Sequence, residues 1–203
     1  MSNRGRFGKY GEMKRLERLR QAGFRAFLRN KPEKGAPARA FFERGMERPR
    51  GGLILRRAVQ SDVEFIGGLS SRVFDLYGPY GEIVTRWFES GTAITFVALV
   101  GQRPAGFAMI GRPSPSALIG PVAELLAIAV EPRHRAMGVG GLLLRKLEEA
   151  AVHIHVRRLF LHTATVNTRA QRLFTRCGYA AAEVKQGFYP AGQDAVLMFK
   201  DLP

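Results

Sequence analysis

The hydrophobic pattern of this chain changes period along its length. Residues 53–59 read as a short strand. Ser61 and Asp62 then head a helical pattern that reaches about Phe74, with Glu64 in its first turn. A second helical segment covers 79–90, with Trp87 and Phe88 as expected core positions. Strand runs at 93–100 and 105–111 flank Gly101, Gln102 and Arg103, which read as a hairpin turn. Residues 112–121, rich in Pro, Ser and Gly, read as a loop. The run 123–130 is apolar apart from Glu124 and reads as the central strand. Helical spacing returns at 139–152, with Leu142, Leu143, Leu147, Ala150 and Ala151 expected to face inward. A strand at 158–165, a helix at 167–177 and a strand pair at 180–187 and 194–200 complete the pattern.

Meandering strands followed by a strand–helix–strand unit predict a mixed α/β sheet over 53–203. Ahead of it, residues 12–30 read as a basic amphipathic helix. Met13, Leu16, Leu19, Phe24, Phe27 and Leu28 lie on one side, and arginines and lysines fill the rest. Residues 30–52 carry Pro32, Pro37, Pro49 and several glycines and read as a linker, with one helical turn at 40–46. Two parts are expected: an extension at 1–52 and a domain at 53–203.

Charge sharpens that division. Of the formal net charge of +15, residues 1–50 supply +10 and the rest +5. A basic domain suits an anionic cofactor, and a basic extension suits RNA, a ribosome surface or anionic lipid. The one cysteine, Cys177, excludes an internal disulfide framework. The N-terminus shows no secretory pattern, and no apolar run is long enough to span a bilayer. A soluble, cytoplasmic protein is expected.

The chemistry concentrates at Arg135, Ala136, Met137, Gly138, Val139, Gly140 and Gly141. This glycine-rich stretch lies between the central strand and the helix at 139–152. N–H groups in the first turn of a helix have no partners within it, and the helix dipole favours an anion there. Glycines let the backbone approach such an anion closely. No Lys-Ser or Lys-Thr follows, and Leu143 stands where a dinucleotide fingerprint needs a small residue.

The Arg-x-x-Gly-x-Gly pattern resembles motif A of the GNAT acetyltransferases, whose loop holds the pyrophosphate of acetyl-CoA. A second block agrees. Asn167, Ala170, Leu173, Phe174, Gly178 and Tyr179 follow the spacing of that family's Asn-x-x-Ala-x-x-Leu-Tyr-x-x-x-Gly-Phe motif. The resemblance implies a sheet with two parallel strands, about 123–130 and 158–165, that splay apart to admit acetyl-CoA. Backbone groups of Ile128, Ala129 and Val130 would pair with its pantetheine arm, and Asn167 would help position it. The motif puts Phe174 beside the cofactor, where relatives carry a tyrosine thought to protonate the departing thiolate. Phenylalanine cannot do so.

Two residues are candidates to take the proton from the acceptor amine. Glu124 is a carboxylate in a buried strand, at the position of a glutamate used by many GNAT enzymes. His162 lies five residues before Asn167, where the N-terminal-acetyltransferase branch carries a Glu or His. Imidazole is suited to proton transfer near neutral pH. Either residue could instead be structural. Phe188, Tyr189, Pro190, Asp194, Ala195 and Met198 resemble the ending of the RimI-type ribosomal-protein N-terminal acetyltransferases, so Tyr189 is expected to line the acceptor site. A protein N-terminal amine is the preferred acceptor. An α-amine has a pKa near 8 against about 10.4 for lysine, so it deprotonates more readily. A small-molecule amine, a lysine, or an RNA- or ribosome-binding module with vestigial catalysis are the alternatives. His153 and His155 diverge on a helix end, and no metal site is expected.

Overall fold

The computed structural model describes residues 52–116 and 120–203. The basic helix expected at 12–30, its linker and the helical turn at 40–46 lie outside the described residues. The described residues hold seven strands: β1 (Leu53–Arg57), β2 (Ala93–Val100), β3 (Arg103–Gly111), β4 (Val122–Val130), β5 (Arg158–Ala164), β6 (Ala180–Lys185) and β7 (Ala195–Asp201). They form one sheet in the order β1-β2-β3-β4-β5-β7-β6. Helices α1 (Val63–Phe74), α2 (Tyr80–Glu89), α3 (Val139–His153) and α4 (Thr168–Arg176) flank it. The expected mixed α/β sheet is present. Its pairs are antiparallel except β4 with β5, which α3 connects as a crossover.

The hairpin between β2 and β3 is tighter than expected. Gly101 and Gln102 both take positive φ, 54° and 66°, and Arg103 already pairs with Val100 in the ladder. Two left-handed residues match the twist of the strands they join.

The sheet carries a core on each face. On one, Leu143, Leu144, Leu147 and Ala151 of α3 pack against Ala108, Ile110, Leu125, Leu159 and Leu161. On the other, Ile66 and Leu69 of α1 and Ile83 and Val84 of α2 cover Val97, Phe107, Met109 and Ala127. Each fully buried leucine or isoleucine contributes about 1.5–3 kcal/mol. Glycines let α1 and α2 touch: a Cβ on Gly67 would meet Thr85, and one on Gly81 would meet Ser71.

Three expectations need correction. Leu142 is half-buried, whereas Leu144 and Glu148 are buried; the inward stripe of α3 runs through 143, 144, 147, 148 and 151. Trp87 and Phe88 are half-buried because Tyr80, Ile83 and Val84 form the inner face of α2. Asp62 stands before α1 without capping it. Its carboxylate takes the Val59 N–H at 2.8 Å and a forked pair of hydrogen bonds from Arg56.

Candidate active site

The site begins where β4 and β5 part. They pair in register only from Val122 with Arg158 to Leu125 with Leu161. Beyond that point, among the described residues, β4 pairs with β3 alone; Ile110 stands opposite Leu125 and Met109 opposite Ala127. Leu126 is the extra residue of a β-bulge, which bends the strand locally. Ile128, Ala129 and Val130 therefore lie in the stretch of β4 that has separated from β5. A cleft opens there, lined by Leu126, Ile128, His162, Asn167, Phe174 and Tyr189 among others.

At the start of this divergence Glu124 and His162 meet, with Glu124 Oε1 3.2 Å from His162 Nδ1. Their side chains are 11% and 2% exposed. A carboxylate only accepts hydrogen bonds, so the neutral ring carries its proton on Nδ1 and its lone pair on Nε2. Nε2 is buried and makes no hydrogen bond. Phe188 stacks on the imidazole, centroids 4.2 Å apart and planes at 16°, and Phe160 meets it edge-on. The ring is fixed on both sides by packing and at Nδ1 by charge.

The glycine-rich loop leaves the far end of β4. Arg135 turns back, and its Nε donates to the Val130 carbonyl at 3.1 Å. Ala136 and Gly138 adopt positive φ of 64° and 79°, and Gly138 heads α3. The first-turn N–H groups of Val139, Gly140 and Gly141 have no partners within the helix, and such groups favour an anion. Gly140 is pressed between α4 and β4: a Cβ there would lie 3.3 Å from the Leu173 side chain. Met137 is partly exposed on the loop. A glycine-rich helix entry of this kind suits an anionic group such as a diphosphate.

Asn167 caps α4, its Oδ1 accepting from the Ala170 N–H at 3.2 Å. Gln171 ties the same helix to the end of β5 by donating to the carbonyls of Ala164 and Thr165. Phe174 is buried in the cleft wall and packs on Tyr179. The opposite wall is aromatic. Tyr189 lies 4.9 Å from Tyr77 and 6.0 Å from Tyr80, and its hydroxyl donates to the His162 carbonyl at 3.3 Å. Burial raises the Tyr77 hydroxyl above its ordinary pKa.

The structure thus brings His162, Tyr189, Asn167 and Phe174 to one cleft, with Glu124 against His162, and places the 135–141 loop at the far end of β4. Sequence reasoning missed Tyr77, Tyr80 and Gln171. The spacing of Phe74, Tyr77 and Tyr80 around Gly78 and Pro79 was the available signal. Cys177 stands apart, its thiol held above its ordinary pKa by burial and by the nearby Glu148 carboxylate. Among the described residues no group of three or more His, Cys, Asp or Glu side chains could hold a metal ion. Nor is any described helix long and apolar enough to cross a membrane.

Comparison with known proteins meets this geometry. The chain is 24% identical over 152 residues to an uncharacterized N-acetyltransferase of Methanocaldococcus jannaschii, covering 74% of this chain and 93% of that one. Arabidopsis thaliana NAA60, solved with a bisubstrate analogue, superposes with a TM-score of 0.65 at 20% identity, covering 74% of this chain and 98% of that one. The ribosomal-protein-S18-alanine N-acetyltransferase from Escherichia coli gives 0.60 at 21% identity, covering 74% and 94%. A family model described as acetyltransferase (GNAT) matches residues 63–179, from α1 through the end of the α4 motif. With the splayed strands and the glycine-rich helix entry inside that span, this chain belongs to the GNAT family of acetyltransferases.

Proposed function

We propose that this N-acetyltransferase modifies the α-amine of a protein N-terminus, by direct transfer within a ternary complex. Acetyl-CoA is the cosubstrate and supplies the acetyl thioester. The observation that carries the reading is the cleft itself: uncharged aromatic walls converge on one buried carboxylate–imidazole pair. Such a slot suits a main-chain terminus, and an α-amine needs less help than a lysine to become neutral.

In this reading the 135–141 loop and Asn167 orient the cofactor, and Ile128, Ala129 and Val130 flank its pantetheine arm. His162 Nε2 accepts the proton of the attacking amine, and Glu124 holds the ring's tautomer and stabilises the imidazolium. Tyr189 shapes the acceptor wall. Phe174 offers no proton, so the thiolate leaves unassisted by that residue; a thiol pKa of about 8.5 makes this tolerable. The likeness to the S18-alanine N-acetyltransferase fold and the Phe188–Tyr189 ending support a place near the ribosomal-protein branch. The basic extension would then dock on RNA or a ribosome.

The test is release of free CoA from acetyl-CoA with short peptides. Half would carry free N-termini and no lysine; half would carry blocked N-termini and an internal lysine. Turnover confined to the first half supports the reading. Turnover confined to the second moves the acceptor to lysine. Silence in both, with acetyl-CoA binding retained, refutes a peptide acceptor. Deleting residues 1–50 should leave turnover intact and abolish any salt-dependent RNA affinity.

A further inference from the structure

The cleft's acceptor side is framed by two connections from different parts of the chain, and they are fastened together. One joins α1 to α2 through Leu76, Tyr77, Gly78 and Pro79. The other joins β6 to β7 and carries Phe188, Tyr189 and Pro190. We propose that Gln193 is the positioning residue that holds these two lips closed, and through them holds the acceptor wall against His162. The proposal rests on the acceptor site assigned above.

Gln193 works in two directions. Its side-chain Nε2 donates across the gap to the Leu76 carbonyl at 2.6 Å. Its own carbonyl accepts from the Tyr189 N–H at 3.1 Å. Tyr189 in turn reaches the His162 carbonyl, and its neighbour Phe188 stacks on the His162 ring. One side chain therefore couples the far lip to both residues that touch the proposed base. Other contacts cross the same gap, among them the Tyr77 ring against Tyr189. The Ala191 N–H reaches the Tyr77 carbonyl only at 3.4 Å. Gly78, at φ 128°, lies so close to Pro190 that an added Cβ would stand 2.8 Å from the proline ring. Leu76 itself is 77% exposed, so apart from the Tyr77 ring against Tyr189 the Gln193 bond is the side-chain tie between the lips. The hairpin's own brace, the Gly187 N–H to Asp194 Oδ1 bond of 2.8 Å, keeps its shape without attaching it to the opposite lip.

The clamp acts on the acceptor side alone. None of its members belongs to the glycine-rich loop or to the separated end of β4. Losing the donor should therefore shift acceptor kinetics and leave the cofactor untouched. The informative pair is Gln193→Glu, which keeps the shape but cannot donate when ionised, and Gln193→Lys, which keeps a donor of similar reach. Gln193→Glu should lower kcat/KM for the acceptor roughly fivefold, the equilibrium worth of one neutral hydrogen bond, with KM for acetyl-CoA unchanged. Gln193→Lys should recover most of that loss. Amide hydrogen exchange on the full chain should show faster exchange at Tyr189 and Ala191 in Gln193→Glu, with α3 unaffected. Wild-type kinetics and exchange in Gln193→Glu would overturn the clamp. So would parallel rises in both KM values, or failure of Gln193→Lys to rescue, since either describes general softening. If peptides are not turned over and a small amine is, the protein-terminus reading falls, and the same split is read on that amine.

Discussion

A double-mutant cycle on Glu124 and His162 tests whether the pair is one proton-accepting unit. Glu124→Gln keeps the size of the side chain and an oxygen for the Nδ1 proton, but removes the charge. His162→Gln removes the base. A positioned general base contributes about 10²–10⁴ in rate, so His162→Gln should lower kcat by ~10³, or about 4 kcal/mol. The effect of Glu124→Gln is set by the hydrogen bond. At 3.2 Å the Nδ1···Oε1 contact is longer than a strong charge-assisted bond of roughly 2.7–2.9 Å. Its contribution belongs at the low end of about 1.5–3 kcal/mol, so kcat should fall about tenfold. Because Glu124 acts through His162, the double variant should match His162→Gln alone; independent roles would multiply to ~10⁴. The assay is CoA release at saturating acetyl-CoA with the best acceptor of the peptide panel. KM for acetyl-CoA serves as the control and should not move. Full activity in both single variants would refute both assignments, and multiplicative losses would refute the unit.

Other expectations follow from particular contacts. Phe174→Tyr restores the family's hydroxyl in the cleft wall and should change kcat by less than about tenfold, because a thiolate of pKa near 8.5 leaves without a proton donor; a larger rise in a stopped-flow or steady-state assay would show that thiolate departure limits this enzyme. Gly106→Ala places a Cβ 2.7 Å from the Ala129 carbonyl, on the stretch of β4 proposed to flank the cofactor. That overpacking should cost about 1–3 kcal/mol in urea unfolding and raise KM for acetyl-CoA while leaving acceptor KM unchanged. Hydrogen bonds from Arg56 and the Val59 N–H hold the Asp62 carboxyl below its ordinary pKa. Its stabilisation is present above the ordinary carboxylate value and is lost as pH falls through the depressed one. Asp62→Asn should cost about 1 kcal/mol at neutral pH, discounted because the Arg56 side chain is 36% exposed. The gap from wild type should close at acid pH, and a pH-independent gap would contradict the assignment.

The pattern of apolar positions determined most of the local structure. Every strand and helix expected after residue 52 is present, with ends shifted by a few residues, because periods of two and 3.6 are properties of the chain itself. The glycine spacing at 138, 140 and 141 pointed to the helix entry, since only certain backbone angles fit such a turn. Phase within a helix was less legible. The inner stripe of α3 follows from the sheet beneath it, which exchanges Leu142 for Leu144 and buries Glu148. Glu148 pairs with Lys200 of β7 at 2.6 Å, a contact between residues 52 apart in sequence. Pairing order was likewise outside local reach: β7 inserts between β5 and β6, which brings the 186–194 connection over His162. Glu124 and His162 were separate candidates in sequence, 38 residues apart. Only the parallel register of β4 with β5, ending where the bulge at Leu126 begins, makes them a pair. The sequence determined which chemical groups were available and which elements carry them. Tertiary structure decided which of them meet, because distances across a sheet depend on strand order and register, and neither is encoded in any one segment.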